Sequence, residues 1–275
     1  MLDLRGINEP FDEGVFVHRG ERMERVTPAD VDVPRAFWEG VDFSRSVIKR
    51  MRFREAVWRG CCFDGCKIEG CTLWSPTIER CTFAKAKFRE TYVVCTQLPE
   101  GRIRDCSFAG ADFRGAHPGV CTLINCDLSG ANVNRVEFNG TALSKVVFAG
   151  VLRDTLFEGP GSLGRPNVHP SFCFADVDLS GCELVGVHFR SISLSDTRLP
   201  EDEKHLVFTM EDVRRVERRI GLYLDGKLGA AVVPFCDASE HPPPDGGRAG
   251  VIHLPTFRSE HGPDVAEQVL RALRL

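Results

Sequence analysis

A five-residue period runs through most of this sequence. In blocks of five from Ala36 to Gly150, the third residue is large and apolar in all but one block, where it is Pro118. The first residue is small in all but two blocks, which begin with Met51 and Pro76. This period matches neither the 3.6-residue turn of a helix nor the two-residue alternation of a strand. It predicts a chain that turns a corner every five residues and directs one large and one small side chain of each block into a shared core.

Glycine recurs at the fifth position of the blocks, for example at Gly60, Gly65 and Gly70. A glycine at a corner accepts the positive φ that several tight turns need. In a repeat architecture each coil buries its core only against its neighbours, so the two ends need caps.

The repeats resemble those of the pentapeptide-repeat family, whose motif is A-(D/N)-L-x-x. ADFRG, CDLSG, ANVNR and VDFSR match the motif well, and after an interruption the pattern resumes from Phe172 to Glu201 with its register shifted by one residue. The resemblance implies an all-β solenoid, a right-handed quadrilateral β-helix with four blocks per coil. About 7 coils, about 4.8 Å apart, would make a rod of roughly 35 Å. We expect Phe63 to stack on Phe83, and Phe88 on Phe108, along its core.

The chain divides into three parts. Residues 1–35 form an acidic N-terminal lead-in that blends into the first coil as a cap, since Val31 and Val33 keep the register of the repeat. Residues 36–201 form the β-helix, interrupted by a loop at 151–171 that is rich in Gly and Pro. Residues 202–275 form a small α/β C-terminal capping or dimerisation domain, and the resemblance implies that this extension pairs two chains.

Local signals define the elements of the C-terminal part. Thr209 to Asp212 predict a helix start with a capping box, and Gly226 a helix stop. Ala230–Phe235 and Val251–Leu254 are interpreted as short strands, and Pro263 as the start of a second helix.

The chain contains twelve cysteines, eight of which occupy the small inward position of the repeat. We interpret these eight as buried substitutes for alanine, because a spacing of five places neighbouring thiols on different faces of the coil. Cys62, Cys95 and Cys173 fall at outward or corner positions. In the C-terminal part, Cys236 and three histidines leave a zinc site open as an alternative, but their spacings match no standard finger. The sequence therefore predicts neither a metal nor a cofactor.

The interrupting loop is a candidate binding segment, because long loops on rigid scaffolds often carry binding. Arg153, Arg165 and His169 are its candidate contact residues. The loop also contains a glycine pattern that formally matches a dinucleotide-binding fingerprint, residues 159–164. Prolines at 160 and 166 argue against the strand and helix that such a site needs.

Charge limits what the repeat can imitate. The best-known activity in the family is binding of DNA gyrase or topoisomerase IV by members that imitate the acidic charge of duplex DNA. Here the chain carries a net charge of -4, whereas residues 36–199 contain 20 Lys and Arg against 18 Asp and Glu. Arg50, Arg52 and Arg54 crowd the first coils. They are either a solvated rim or a contact site for an acidic partner.

Three outward residues break the polar pattern of the surface. Trp74, Tyr92 and Val94 belong to blocks twenty residues apart, so we expect them on one face of the rod. Neighbouring aromatic side chains on a flat face can anchor a partner. The alternative is that another segment of the chain covers them.

No known catalytic motif is present in the sequence. We therefore predict a non-enzymatic binding or scaffold protein with a protein partner, without direct nucleic-acid binding. A topoisomerase-binding modulator that protects against topoisomerase-targeting antibiotics is the alternative. Neither a secretory signal nor an apolar run long enough to span a bilayer is present, so we expect no membrane contact and a cytoplasmic location. The resemblance also implies a homodimer.

Overall fold

The computed structural model describes residues 17–94, 102–119, 121–159, 174–222 and 224–273. In the described residues between 17 and 199, short strands alternate with corners, and each pair of bonded strands runs parallel, one coil apart. The strands of this part are β1 (Val17–Arg19), β2 (Phe37–Glu39), β3 (Val47–Lys49), β4 (Arg52–Arg54), β5 (Val57–Arg59), β6 (Lys67–Glu69), β7 (Thr72–Trp74), β8 (Thr77–Glu79), β9 (Lys87–Arg89), β10 (Tyr92–Val94), β11 (Arg102–Arg104), β12 (His117–Pro118), β13 (Thr122–Ile124), β14 (Asp127–Ser129), β15 (Glu137–Asn139), β16 (Ala142–Ser144), β17 (Val147–Arg153), β18 (Leu156–Glu158), β19 (Phe174–Ala175), β20 (Asp178–Val185) and β21 (His188–Arg190).

Successive blocks contribute to different columns of paired strands. One column runs from β1 through β2, β5, β8, β11, β13 and β16 to β19. The next block pairs through single bridges such as Asp42 with Cys62, and the two blocks after it form the columns β3–β6–β9 and β4–β7–β10–β12. Four blocks therefore complete a typical coil, which confirms a β-helical solenoid of stacked parallel strands.

The large inward side chains form continuous stacks. The rings of Phe63 and Phe83 lie 4.9 Å apart and almost parallel, as predicted. The expected stacking of Phe88 on Phe108 is wrong: Phe83 stacks on Phe108 at 4.9 Å, and Phe88 on Phe113 at 4.8 Å. The reason is that Thr82 pairs with Ser107, twenty-five residues further along the chain. This coil contains five blocks where four are typical. The five-residue period continues through it, but the blocks that follow lie one face further round the rod than a count of four blocks per coil predicts.

The small inward side chains donate hydrogen bonds to backbone carbonyls at the corners. The thiol of Cys66 donates to the carbonyl of Phe43 at 2.9 Å, and the hydroxyl of Ser46 donates to that of Met23 at 3.1 Å. Thr91 and Thr155 make equivalent bonds at 3.1 Å. At Phe43 and Val133 the side chain is a second donor, because these carbonyls also accept the backbone N–H of Ser46 and of Val136 at 3.0 Å each.

The corners adopt the left-handed backbone conformation whether or not glycine is present. Gly60 has a φ of 58°, and Arg50 and Glu55 have φ values of 48° and 53°. The prediction of positive φ at the fifth position is confirmed. A non-glycine residue in this region is less favourable by about 1–2 kcal/mol, so the pairing on both sides imposes the conformation.

The predicted interruption at 151–171 begins too early. β17 and β18 keep the coil as far as Glu158, with Leu152 and Phe157 buried, and Gly159 is the last residue described before the gap. The register shift lies inside the β17–β20 pair, where Val147 pairs with Asp178 but Ala149 pairs with Gly181. Residues 160–173 lie outside the described part of the chain.

The repeat also starts earlier than Ala36. β1 pairs with β2, and Asp32 bridges to Arg52 one coil later. Met23 and Val33 are buried in the common core. Residues 17–35 therefore belong to the stack, as the register of Val33 indicated.

The C-terminal part is a separate small core placed on the last coil. Its elements are β22 (His205–Thr209), α1 (Met210–Arg219), α2 (Gly226–Glu240), β23 (Arg248–His253), α3 (Leu254–His261) and α4 (Pro263–Leu273). β22 and β23 pair antiparallel, and the four helices surround a core that includes Val216 and Phe235. Val251 packs against the core of the rod, so β23 covers the end of the stack.

Three local predictions for this part are confirmed and two are wrong. The Thr209–Asp212 capping box is present, β23 contains most of the expected strand at 251–254, and Pro263 begins α4. The expected strand at 230–235 is part of α2, which packs on β21. Gly226 begins α2 instead of ending α1. No described helix is long and apolar enough to span a membrane.

Polar contacts join α2 to the last coil. Asp237 accepts a hydrogen bond from Arg190 Nε at 2.7 Å and one from His188 Nδ1 at 3.0 Å. Burial alone would raise the pKa of Asp237, but His188 and Arg190 together hold it below its usual value. We call Asp237, His188 and Arg190 the cap latch, because they connect the two cores.

Candidate protein-binding face

One column of strands exposes the aromatic residues singled out in the sequence. We call the outward surface of β4, β7, β10 and β12 the platform face. Trp74 on β7 is 44% exposed and Tyr92 on β10 is 46% exposed. Leu73 and Val93 are register partners and point into the rod, which places their neighbours on the outside. The expectation of a common face is confirmed for these two aromatic residues.

A third ring extends this surface. The imidazole of His117 on β12 stacks on the ring of Tyr92 at 4.6 Å, with only 13° between the ring planes. The sequence did not predict this contact, because the additional block between β10 and β12 hides their pairing. Val94 is the register partner of Trp74 at the end of β10.

Two arginines of the sequence prediction lie on the same face. Arg52 and Arg54 are on β4, one coil from Thr72 and Trp74. Each has a guanidinium nitrogen 3.7 Å from a carboxylate oxygen of Asp32 in the preceding coil. Their charge is thus partly neutralised by Asp32 in the coil before β4, whereas Trp74 lies in the coil after it.

Arg50 lies at the corner before this face. Its Nε and Nη2 donate to the two carboxylate oxygens of Asp30 at 2.5 and 2.6 Å. The hydrogen bond from Arg50 lowers the pKa of the Asp30 carboxyl. A bidentate pair of this kind fixes the orientation of the guanidinium group. It also means that Arg50 does not present a free positive charge.

Ion pairs between coils occur on other faces too. Glu79 forms ion pairs with Arg59, one coil before it, and with Arg104, one coil after it, at 3.1 Å each. Lys49 pairs with Glu69 at 3.2 Å. Opposite charges in one column therefore compensate each other along the rod. The near-neutral composition of the repeat did not predict which charges would pair.

Arg153, the one loop candidate among the described residues, does not lie on the platform face. Arg153 is an exposed residue of β17, not part of a loop as predicted, and its backbone N–H donates to the side chain of Asn134. Arg165 and His169 lie outside the described residues.

The cysteines of the repeat are structural where the chain is described. All eight at the small inward position are buried, and Cys62 is half-buried. Burial raises the pKa of Cys66 and of Cys182 to about 12, and that of Cys71 to about 11. These three thiols stay protonated and are poor nucleophiles. Cys95 and Cys173 lie outside the described residues.

The histidines and the cysteine of the C-terminal part are spread over several elements. Cys236 lies in α2, His241 follows it, His253 ends β23 and His261 ends α3. Within the described ranges, no three His, Cys, Asp or Glu side chains are arranged to hold a metal ion.

The stacked coils define a parallel β-solenoid with an exposed aromatic face. The model of the family "Pentapeptide repeats" matches residues 102–140 and 121–151 and finds eight copies. The chain therefore contains pentapeptide repeats, as its motif indicated.

Two solved structures illustrate the similarity. A trypsin-treated variant of QnrB1, a plasmid-mediated fluoroquinolone resistance protein, is 18% identical, with a TM-score of 0.38, 65% of this chain covered and 86% of that chain. HetL, a pentapeptide-repeat protein involved in regulation of heterocyst differentiation from the cyanobacterium Nostoc sp. strain PCC 7120, is 15% identical, with a TM-score of 0.30, covering 69% of this chain and 93% of that chain. No curated protein matches the sequence.

Proposed function

We propose that this chain is a non-enzymatic binding protein whose platform face contacts a protein partner. The observation that supports the proposal is the exposure of Trp74 and Tyr92 on one flat sheet surface. Trp, Tyr and Arg are the residue types most enriched among energetically dominant interface residues. Here they occur together, since Arg54 is the register partner of Trp74.

Rigidity favours the same function. The strands of the platform face are bonded to each other and lie over a close-packed core that includes Phe53 and Leu73. A preformed surface loses little conformational entropy on binding, so more of the contact energy appears as affinity.

The decisive experiment compares two variants in binding to the same partner. The full chain is used as bait, its partners are identified by mass spectrometry, and the Kd of each is measured. Trp74→Ala with Tyr92→Ala is expected to weaken the specific partner at least about thirtyfold, which corresponds to about 2 kcal/mol. Val151→Ala is the matched control, because Val151 is 44% exposed on β17. Equal affinity of both variants for every partner would contradict the proposal.

The topoisomerase-binding alternative is tested directly. An acidic imitation of DNA needs uncompensated carboxylates along the rod, whereas Glu79 and Asp32 are both paired with arginines. We therefore expect no effect of the protein in a gyrase supercoiling assay, with or without a quinolone. Inhibition of gyrase, or its protection from the drug, at sub-micromolar protein would make this alternative the function.

Several finer features belong to the proposal and rest on the sequence. They are the right-handed winding, the boundary of the C-terminal part at residue 201, and the cytoplasmic location. A homodimer formed through the C-terminal part rests on the family resemblance, and analytical ultracentrifugation tests it.

A further inference from the structure

Charged residues on neighbouring coils of the rod are arranged with opposite signs. Arg59, for example, is the register partner of Glu39 on one side and of Glu79 on the other. Among the described residues of the rod, every register pair of two charged side chains combines opposite signs, with one exception. The exception is Lys67 on β6, whose partner is Lys87 on β9. Like charges on directly opposed residues of neighbouring strands destabilise a sheet, so this pair has a cost for the fold.

A third cation lies beside this pair. Arg89 follows Lys87 on β9 after one inward residue, Phe88, so both charged side chains point outward. Lys67, Lys87 and Arg89 are all exposed, whereas Phe88 is buried. We call the surface formed by Lys67, Lys87 and Arg89 the lysine face. It lies on the β3–β6–β9 column, which is the face of the rod next to the platform face.

Arg89 has no carboxylate partner of its own. Its register partner is Glu69 of the preceding coil. The carboxylate of Glu69 lies 3.2 Å from Nζ of Lys49, one coil further back, and is thus already paired. Glu90 follows Arg89 at the exposed corner, and within the described part of the chain neither of these two residues forms an ion pair.

The two lysines are not compensated either. Lys67 has the uncharged Val47 as its register partner on the other side. Lys87 has Asp112 there, but both oxygens of this carboxylate accept from Arg114, at 2.9 and 2.7 Å. The hydrogen bond from Arg114 is the main reason that the pKa of Asp112 is lowered, and the charge of Lys87 contributes least. In the described ranges, neither lysine forms an ion pair.

The flanking corners do not change this balance. Asp64 and Glu90 carry negative charge beside the column, and the exposed corner residues Arg45 and Lys85 carry as much positive charge. The side chain of Asp64 also accepts the backbone N–H of Ala84 at 2.8 Å. The positive charge of the lysine face therefore remains available to an anionic partner.

The spacing of the cations matches an extended peptide. Alternate residues of one strand, such as Lys87 and Arg89, are about 6.6–6.8 Å apart, and neighbouring strands lie about 4.8 Å apart. An extended peptide that lies along β9 presents every second side chain to the rod at the same spacing. Carboxylates at alternate positions of the peptide would thus meet Lys87 and Arg89, with Lys67 beside the first of them on the adjacent coil.

The composition of this surface favours a protein over a nucleic acid. The outward positions of β3, β6 and β9 contain no aromatic ring on which a base could stack. Two of its three cations are lysines, which act as point charges and do not offer the forked geometry of arginine that suits phosphate.

We propose that the lysine face binds an extended acidic segment of a protein partner, with carboxylates at alternate positions. These carboxylates lie against Lys87 and Arg89 and relieve the repulsion between Lys67 and Lys87. The cost that the free protein carries at this pair is then recovered on binding. The site is separate from the platform face and does not depend on the partner of that face.

The test uses the full chain and the peptide GETETETEG. Two-dimensional NMR follows the side-chain signals of Lys67 and Lys87, which are assigned with Lys67→Gln and Lys87→Gln. In about 20 mM salt we expect saturable shifts of both signals, with a Kd of about 0.1–1 mM. At about 150 mM salt the affinity is expected to fall at least about threefold, because exposed charges are screened.

Two further peptides test charge and spacing. The neutral peptide GQTQTQTQG is expected not to bind detectably. GEEEETTTG has the same composition as the probe, but contiguous glutamates of an extended chain point to opposite sides. It is therefore expected to bind at least about threefold more weakly than the probe.

Variants separate the lysine face from other effects. Lys67→Glu replaces the like-charge pair by an opposite-charge pair, so it is expected to raise the midpoint of urea unfolding and to weaken the peptide at least about tenfold. Lys145→Glu changes the net charge equally at an exposed corner after β16 and is expected to bind like the wild type. Trp74→Ala with Tyr92→Ala is also expected to bind the peptide normally, which keeps this test independent of the platform face.

Several outcomes would overturn the proposal. They are no saturable shift with the peptide up to about 5 mM, equal binding of GEEEETTTG, an equal loss of affinity in Lys145→Glu, or unchanged affinity in Lys67→Glu. A lower urea midpoint in Lys67→Glu would contradict the cost assigned to the lysine pair. Tighter binding of a single-stranded deoxythymidine oligonucleotide of the same charge would assign the face to a nucleic acid and would also overturn the proposal.

Discussion

Asp237 joins α2 to the rod through two hydrogen bonds. Its two carboxylate oxygens face two cationic or donor groups of β21, Arg190 and His188. Because a carboxylate can only accept, His188 must carry its proton on Nδ1 in this contact. The side chain of Asp237 is only 12% exposed, so water replaces these partners poorly.

The magnitude for Asp237→Asn follows from this geometry. A hydrogen bond to an ionised group contributes roughly 1.5–3 kcal/mol when it is shielded from water. Arg190 and His188 are 33% and 36% exposed, so screening reduces both contributions. The amide retains one acceptor but places an NH₂ group against one of the two donors. We expect the docked position of α2 to lose about 2 kcal/mol, or about thirtyfold in its opening equilibrium.

Hydrogen exchange monitored by mass spectrometry measures this local equilibrium. At pH 7, amides of α2 (Gly226–Glu240) in Asp237→Asn are expected to exchange about thirtyfold faster, while those of β7 and β8 in the rod stay unchanged. Asp245→Asn is the matched control on the same interface, because Asp245 contacts Ser193 at an exposed position. Unchanged protection of α2 in Asp237→Asn, or the same acceleration in the control, would refute the reasoning.

The pH dependence provides an independent check. The folded-state pKa of Asp237 is lowered, so its contribution is complete above the pKa of the unfolded chain, about 3.9. It is lost as the pH falls through the lower pKa of the folded state. Protection of α2 in the wild type is expected to fall below about pH 4, and Asp237→Asn is expected to lack that part of the pH dependence. An identical profile for both proteins would contradict this assignment.

Three further predictions concern the rod. Gly60 has a φ of 58° and open space where a Cβ would lie. In urea denaturation, Gly60→Ala is therefore expected to lower the free energy of unfolding by about 1 kcal/mol, and Gly60→Asn by less. Equal stability of Gly60→Ala and the wild type would show that the corner imposes no conformational cost. Cys66→Ala is expected to lose about 1 kcal/mol in the same assay and Cys66→Ser less, because Ser46 makes the same bond one coil earlier; a fully stable alanine variant would mean that the thiol bond contributes nothing. Native labelling with iodoacetamide is expected to reach half-buried Cys62 before Cys66, whose pKa is about 12, and faster modification of Cys66 would contradict its burial.

The sequence predicts the inside of the rod well. The pair of inward positions in each block depends only on local periodicity, and Phe63, Phe83 and the buried cysteines lie where that periodicity places them. Contacts between coils are harder to predict, because a complete extra block leaves the period intact. For that reason the periodicity pairs Phe88 with the wrong ring and does not reveal the stacking of His117 on Tyr92.

The C-terminal part shows a different limit. Residues 230–235 have the pattern of an apolar strand, and Pro234 is unfavourable inside a helix, yet they form the middle of α2. Packing on β21 and on the core around Phe235 overrides this local preference. Asp237 carries no signal of its own in the sequence, because its partners lie almost fifty residues earlier in the chain.

Coil length varies without disturbing the stack. Neighbouring strands are separated by twenty residues at Phe37 and Val57, by nineteen at Glu137 and Leu156, and by thirty-one at Leu143 and Phe174. The corners can therefore gain or lose residues while the flanking strands keep their partners. For protein engineering, the connection between Leu143 and Phe174 is therefore a position where a foreign recognition segment can be inserted while the paired strands stay unchanged.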